Sequence, residues 1–173
     1  MLTYNQILRR IKNHAISHLQ IDSFYSGNPH EFEAQEDNQV SENVSYAACF
    51  CETLGGSIDR TRKFRVYNFR LYFLDRVMSG NMNEQEVQSD MDLVAQDIVS
   101  MMGSDYYTDM EIDPVSSCTF VTEQLNDLVA GVQLDLTVNA YWVPDICQVP
   151  RDAITTEHGF DIVTEQQQTL ITE

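Results

Sequence analysis

The sequence predicts an α+β fold: an antiparallel sheet of about four strands with two helices on one face, followed by an extended C-terminal tail. Two observations predict this class. Apolar residues recur at helical spacing after residue 3 and again after residue 83, and they alternate with polar residues in several other segments. The predicted order is helix, strand, strand, helix, strand, strand, tail. The chain has 173 residues, which suits one domain over residues 1–150 and a tail or arm over residues 151–173.

The first helix is predicted over residues 4–19. Thr3 and Gln6 have the T-x-x-Q spacing of a capping box, and Leu2 and Ile7 are spaced as its hydrophobic staple. The apolar stripe of this helix comprises Leu8, Ile11, Ala15 and Leu19. Residues 20–43 are acidic and contain a Gly-Asn-Pro sequence, which predicts a loop whose aromatic stretch, residues 23–27, packs back on the core.

Two strands and a second helix are predicted next. Residues 44–53 form the first strand, residues 54–57 a glycine turn, and residues 63–77 a long strand with both faces partly apolar, which indicates a partner on each side. Asn83 and Glu86 have capping-box spacing, and Gly103 is the predicted helix stop. The apolar stripe of this helix is Val87, Met91, Val94, Ile98 and Met101.

The last strands come from the segment after the second helix. Residues 110–123 predict one or two strands broken near Pro114, and residues 124–127 are typical of a turn. Residues 132–142 alternate apolar and polar side chains, which predicts an antiparallel strand with one solvated face. Pro144 and Pro150 close that strand, and the polar residues 151–173 predict the tail.

The charge is high and unevenly distributed. The chain has 10 basic and 27 acidic residues, a net charge of −17, which argues against a duplex DNA binder because such proteins need a basic surface. Residues 44–80 have a net charge of +3, whereas residues 81–150 contain 13 acids and no base. Two poles of opposite sign suit head-to-tail docking between copies, although composition alone slightly favours an acidic solvated surface.

Segments that would place the chain in a membrane or export it are not predicted. No apolar run approaches the roughly 20 residues of a membrane span, and the N-terminus does not resemble a secretory leader. The four cysteines are Cys49, Cys51, Cys118 and Cys147, and Cys49 and Cys51 form C-x-C rather than the C-x-x-C of zinc or redox sites. Reduced thiols in a cytoplasmic setting are the prediction.

No catalytic or metal site is predicted. His14 and His18 have the i, i+4 spacing of metal ligands but lack the glutamate of H-E-x-x-H, and Asp109, Glu111 and Asp113 alternate as on a solvated strand. Phosphate-binding glycine loops and the G-x-S-x-G nucleophile motif do not occur in the sequence. We therefore predict neither a cofactor nor enzymatic activity.

One cluster of basic residues follows the predicted glycine turn. Its candidate docking residues are Arg60, Arg62, Lys63, Arg65 and Arg70. They indicate either a hairpin tip whose charges keep a sheet edge soluble or a docking patch for an acidic neighbour. The acidic complement is present in the same chain, since 18 acids and one base follow residue 77.

The element order and two segments resemble the tail-completion or tail-terminator-like neck proteins of tailed bacteriophages. The first segment begins with the helix at residues 3–8 and continues through residues 18–27, and the second is the long strand at residues 63–77. The resemblance covers residues 1–145. Neither the tail after Pro150 nor the strong acidity corresponds to the family pattern.

This resemblance implies a structural virion protein, assembled in the bacterial host cytoplasm, that forms a ring of six or twelve copies. The ring would lie against portal, neck and tail proteins, with DNA passing through its lumen without specific binding and no contact with a membrane. The extended tail, with Phe160, Ile162 and Val163, is expected to grip a neighbour by adding a strand or arm.

Two functions from other classes stay open. A small acidic protein with a base-free stretch at residues 81–150 suits a DNA mimic that inhibits a DNA-binding enzyme, although the basic residues 44–80 argue against it. A metal-dependent hydrolase at Asp109, Glu111 and Asp113 ranks third.

Overall fold

A computed structural model describes residues 2–29, 44–78, 83–103, 109–114, 116–122 and 128–142. Over these residues two α-helices pack on one face of a six-stranded mixed sheet, so the predicted α+β class is confirmed. In chain order the elements are α1 (Tyr4–Ser17), β1 (Ser23–Ser26), β2 (Ala48–Asp59), β3 (Phe64–Arg76), α2 (Glu84–Met102), β4 (Met110–Ile112), β5 (Ser117–Thr122) and β6 (Val129–Tyr141).

The sheet has more strands than predicted and is not wholly antiparallel. Its order is β1-β2-β3-β6, and β4 and β5 both pair with the far side of β6. The first strand, β1, lies within the predicted loop and runs parallel to β2. It forms because Phe24 packs against the core while the backbone covers the edge of β2 from Ala48 to Cys51.

Helix α1 begins as predicted and ends two residues early. The Thr3 hydroxyl oxygen accepts from the Gln6 backbone N–H, and the Gln6 side chain accepts from the Thr3 N–H at 2.8 Å, so the capping box is confirmed. Ile11 and Ala15 are buried against the sheet. Leu19 is fully exposed beyond the end of the helix at Ser17, so its predicted place in the apolar stripe is wrong.

Helix α2 has the predicted buried stripe but a different start. Val87, Met91, Val94 and Ile98 are buried, and the Gly103 N–H donates to the Val99 carbonyl at the C-terminal end. The predicted second capping box is wrong, because the Asn83 side chain makes no hydrogen bond to the helix. Its Oδ1 instead accepts from the Met78 backbone N–H at 2.7 Å, which ties the chain before the helix to the helix start.

The predicted turn at residues 54–57 is wrong, since β2 continues through it to Asp59. A bulge between Thr53 and Gly55 adjusts the register with β3. The true turn is at residues 60–63. Gly56 is required by the close pairing of the strands, because a Cβ at this position would lie 2.2 Å from the Val66 carbonyl oxygen.

The main core lies between the helices and one face of the central strands. Phe69, Leu71 and Phe73 of β3 share this face with the alternating residues of β6, which are buried as predicted: Val132, Leu134, Leu136, Val138 and Ala140. A second, smaller cluster on the opposite face contains Phe50, Tyr72, Leu74 and Val129. Strand β3 is thus apolar on both faces near one end, and it pairs with β2 and β6 on its two sides.

Candidate functional site

The turn that joins β2 to β3 is held by hydrogen bonds of its backbone with the Asp59 side chain and with the end of β6. The Asp59 carboxylate accepts hydrogen bonds from the backbone N–H groups of Thr61 and Arg62, each at 2.9 Å. Lys63 has the left-handed φ of 59°, and its carbonyl accepts from the Trp142 N–H at 2.7 Å. The tip is therefore anchored both within the turn and to the end of β6.

Four of the five predicted docking residues come together at this tip. Arg60, Arg62 and Lys63 are exposed in the turn, and Arg65 is half-buried at the start of β3. The Arg65 guanidinium lies 5.3 Å from the centre of the Tyr67 ring, a cation–π contact that orients it along the strand. Arg62 approaches Asp59 only to 3.9 Å, so its charge stays at the surface.

The fifth residue, Arg70, is placed elsewhere. It lies in the middle of β3 on the face opposite the helices and forms a two-pronged ion pair with Asp135 of β6, at 2.7 and 3.1 Å. The Arg70 hydrogen bond lowers the pKa of Asp135 below its ordinary value. The structure therefore separates Arg70 from the other four and gives it a partner within the same sheet.

The hairpin also exposes apolar side chains and backbone. Strand β1 ends opposite Cys51, so from Glu52 to Asp59 the outer edge of β2 pairs with no other described strand. Two large apolar side chains on this stretch are about half exposed, Leu54 at 46% and Ile58 at 50%. An edge that carries apolar side chains and pairs with no other described strand is a typical contact surface for another chain.

The acidic counterpart is helix α2. Between Glu84 and Met102 it contains five acids and no base: Glu84, Glu86, Asp90, Asp92 and Asp97. Glu86, Asp90 and Asp97 are exposed. Asp97 lies 3.2 Å from the His18 ring, a pair at the solvent-facing side of the two helices. Most of the negative charge of the helix is thus displayed away from the core.

A groove of about 580 Å³ lies between α2 and the junction of β4 with β5. Its apolar lining includes Ala95, Val99, Ile112 and Leu134. Its polar lining includes Asp92, whose carboxylate accepts from the Gln96 amide at 2.7 Å and from the Cys118 thiol at 3.4 Å. An apolar floor with a charged rim is the usual composition of a binding groove.

The residues weighed as metal ligands have other partners. Arg10 donates two hydrogen bonds to the Asp109 carboxylate, at 2.7 and 2.8 Å, and lowers the pKa of that group. Glu111 accepts a hydrogen bond from the Tyr141 hydroxyl. Burial lowers the pKa of His14. Within the described ranges no group of three or more His, Cys, Asp or Glu residues is arranged to hold a metal ion.

The cysteines divide into two environments. Cys49 and Cys51 are buried in the core as free thiols, and burial raises the pKa of both, that of Cys51 to about 12. Cys118 is exposed in the groove, where partial burial and the hydrogen bond to Asp92 raise its pKa to about 11. These thiols are mostly protonated near neutral pH. Cys147 lies outside the described residues.

The predicted gripping residues Phe160, Ile162 and Val163 also lie outside the described residues, as does the whole tail over residues 151–173. The compact unit that contains the sheet and helices extends to Trp142. Neither of the described helices is long and apolar enough to cross a membrane.

Comparison with known proteins gives no family for this chain: no family model matches it, and a search of the curated proteins finds no match.

The sequence identified the basic tip because its residues are nearly contiguous. It missed the groove and the exposed edge. Ile58 follows the two glycines that suggested a turn, and the alternation of Leu54, Gly56 and Ile58 was the one signal for a strand there.

Proposed function

We propose that this protein is a structural subunit of a tailed-bacteriophage neck or tail, a head-to-tail connector or tail terminator, and that it acts without catalysis. In this proposal copies of the chain form a ring of six or twelve subunits between adjacent portal, neck and tail proteins. The ring is assembled in the host cytoplasm and retained in the virion.

A single observation supports this proposal most: the two signs of charge lie on different elements of one compact unit. Arg60, Arg62 and Lys63 are exposed at the tip of the β2–β3 hairpin, and the acids of α2 are exposed on the helical layer. Surfaces that are complementary but different make a heterologous contact, and repeating such a contact gives a ring when its rotation divides a full turn evenly. The sheet and helices would give each subunit the fixed shape that this closure needs.

The net charge of −17 supports the passage of DNA through such a ring. A lumen lined with carboxylates repels phosphates, so DNA would move past the subunits without binding them. The tip cations would be neutralised at subunit contacts in this arrangement, which leaves the acidic surfaces to face the DNA.

The tail is proposed to hold a neighbouring subunit through Phe160, Ile162 and Val163. This tail segment includes Asp161 and Glu165, and the groove of about 290 Å³ between α1 and β1 offers Arg9 and Lys12 together with Leu8 and Phe24. Removal of residues 151–173 is expected to weaken the ring while leaving the described domain folded, as measured by circular dichroism and light scattering.

The mass of the purified chain in solution tests the ring proposal. We expect light scattering to give a mass of six or twelve chains at low salt and a smaller mass at high salt, because the contacts are between exposed charges. The double variant Arg62→Glu with Arg65→Glu should lose the ring. The matched control Arg76→Glu, an exposed arginine at the opposite end of β3, should keep it. Normal assembly of the double variant would refute docking through the tip.

A DNA mimic is the second candidate, supported by the base-free acids of α2. Glu86, Asp90 and Asp97 are spaced along the helix axis by about 6 and 10.5 Å, close to two and three phosphate steps of a DNA strand. This function predicts a monomer or dimer that inhibits a DNA-binding enzyme, with the inhibition lost at high salt. The exposed basic tip has no use in a mimic, which is why we favour the ring.

A further inference from the structure

We propose that the groove between α2 and the β4–β5 junction is the acceptor for the β2–β3 hairpin tip of a second copy of this chain. This inference rests on the proposed ring function and names the two surfaces of its repeating contact.

The groove offers an apolar floor beside a carboxylate that no cation among the described residues neutralises. Val99, Ile112 and Leu134 line the floor, and Asp92 lines the rim. The partners of Asp92 are the Gln96 amide and the Cys118 thiol, both of which are uncharged. Partial burial and the hydrogen bond to Asp92 raise the pKa of Cys118 to about 11, so this thiol stays a neutral donor. The groove therefore suits an apolar side chain accompanied by a positive charge.

The tip presents that combination on one face. Ile58 and Arg65 are directly opposite each other in the β2–β3 register, so their side chains lie on the same face of the hairpin. Ile58 is 50% exposed, and the Arg65 guanidinium extends over Tyr67 beside it. An isoleucine that enters the groove would bring Arg65 to the rim, where Asp92 lies.

A subunit cannot place its tip in its own groove. The groove floor reaches β3 at the level of Leu71, which pairs with Leu134, whereas Arg65 pairs with Ala140, six residues further along both strands. Six strand residues correspond to about 20 Å. Because the hairpin is continuous with the central sheet, it cannot fold back over that distance, and the acceptor must belong to another copy.

Cross-linking tests this contact directly, because the groove already contains a thiol. In a Cys147→Ser background, Ile58→Cys should form a disulfide with Cys118 of the next copy when the protein is treated with diamide, which accepts the two electrons and two protons. Non-reducing gels should show a ladder up to the full ring. The ladder should disappear when Cys118→Ser is added, and the control Ile16→Cys, a 52% exposed position on α1, should give none.

Charge exchange tests the same contact without a new cysteine. At physiological salt Asp92→Lys alone and Arg65→Glu alone should each lose the ring, and the two combined should restore it, because the pair is then reversed. Asp22→Lys, an exposed aspartate before β1, changes the charge equally and should leave the ring intact. Circular dichroism confirms that each variant is folded.

The outcomes separate this inference from the proposed function. If the unaltered chain forms a ring but Ile58→Cys cross-links no better than Ile16→Cys, the groove is refuted as the acceptor and the ring function stands. If Asp92→Lys assembles normally, the inference is likewise refuted. If the unaltered chain stays a monomer or dimer at every salt and protein concentration, both the ring and this contact are refuted.

Discussion

Replacing Gly131 with alanine should weaken the β3–β6 pairing near the start of β6, where Gly131 lies opposite Leu74. A Cβ at this position would lie 1.9 Å from the Phe73 carbonyl oxygen and 2.9 Å from its carbon. Real Cβ atoms essentially never approach another heavy atom closer than 3.0 Å, so the two strands must separate by about an ångström there. The obstacle is backbone, which cannot move aside as a side chain would.

The size of the effect follows from what the separation disrupts. Forcing extra volume into a packed sheet costs about 1–3 kcal/mol. Weakening the two neighbouring ladder hydrogen bonds adds about 0.5–1.5 kcal/mol each. We expect Gly131→Ala to lower the free energy of unfolding by about 2–6 kcal/mol, a large part of the roughly 5–15 kcal/mol that stabilises a domain.

Urea unfolding measures this loss with two probes. Trp142 is the only tryptophan of the chain and follows β6 directly, so its fluorescence reports the sheet, and far-UV circular dichroism reports both layers. The control Gly103→Ala should change stability by less than about 1 kcal/mol, because its Cβ would lie 3.3 Å from the Val99 carbonyl oxygen. A loss at Gly131→Ala no larger than at Gly103→Ala would refute the reasoning.

Three further changes have expected outcomes. Asp109→Asn should lower the free energy of unfolding by about 1 kcal/mol at pH 7. Because Arg10 lowers the pKa of Asp109 in the folded protein, this loss is fully present above the unfolded pKa of about 3.9. In an acid-denaturation series the difference between the two proteins should vanish as the pH falls through the folded pKa. Asp92→Asn should lower the pKa of Cys118 and speed its alkylation at pH 8 several-fold, measured by peptide mass spectrometry; an unchanged rate would contradict the hydrogen bond. Phe73→Ala, at a fully buried position, should cost about 3–5 kcal/mol in urea unfolding, and a loss below about 1 kcal/mol would contradict its place in the core.

The elements that the sequence predicts correctly are those that bury apolar side chains on one face, because that periodic pattern is visible among neighbouring residues. Helix α2 and strand β6 each bury one stripe, so their periods of 3.6 and 2 appear directly in the order of residues. The break near Pro114 separates β4 from β5 for the same kind of local reason. Local patterns of this kind are enough to give the fold class.

The elements that the sequence misses depend on partners distant in the chain. Strand β1 is four residues long and becomes a strand because Ser23 pairs with Ala48, across a segment with the composition of a loop. The two glycines at residues 55 and 56 suggest a turn, since glycine serves both turns and close strand contacts. At Gly56 the glycine serves a close strand contact, because the Val66 carbonyl of the partner strand leaves no room for a Cβ.

In the candidate site, too, contacts between neighbours in the chain were predictable and contacts between distant residues were not. Arg60, Arg62 and Lys63 are adjacent in the chain, so their shared location was predictable. Arg70 resembles them in the sequence, but its partner Asp135 is 65 residues away, and only the register of β3 with β6 brings the two together. The groove is likewise built from α2, β4, β5 and β6.

The pairing of β3 with β6 also sets the order in which the chain can fold. The β2–β3 hairpin closes between neighbouring segments, whereas the β3–β6 ladder joins Arg76 to Val129 and Phe64 to Tyr141, separations of 53 and 77 residues. Such distant contacts form late and slowly. During synthesis the hairpin therefore emerges from the ribosome long before β6 covers its other edge. The basic tip is available early, but the groove between α2 and the β4–β5 junction exists only once β6 is in place, so a newly made chain completes that groove last.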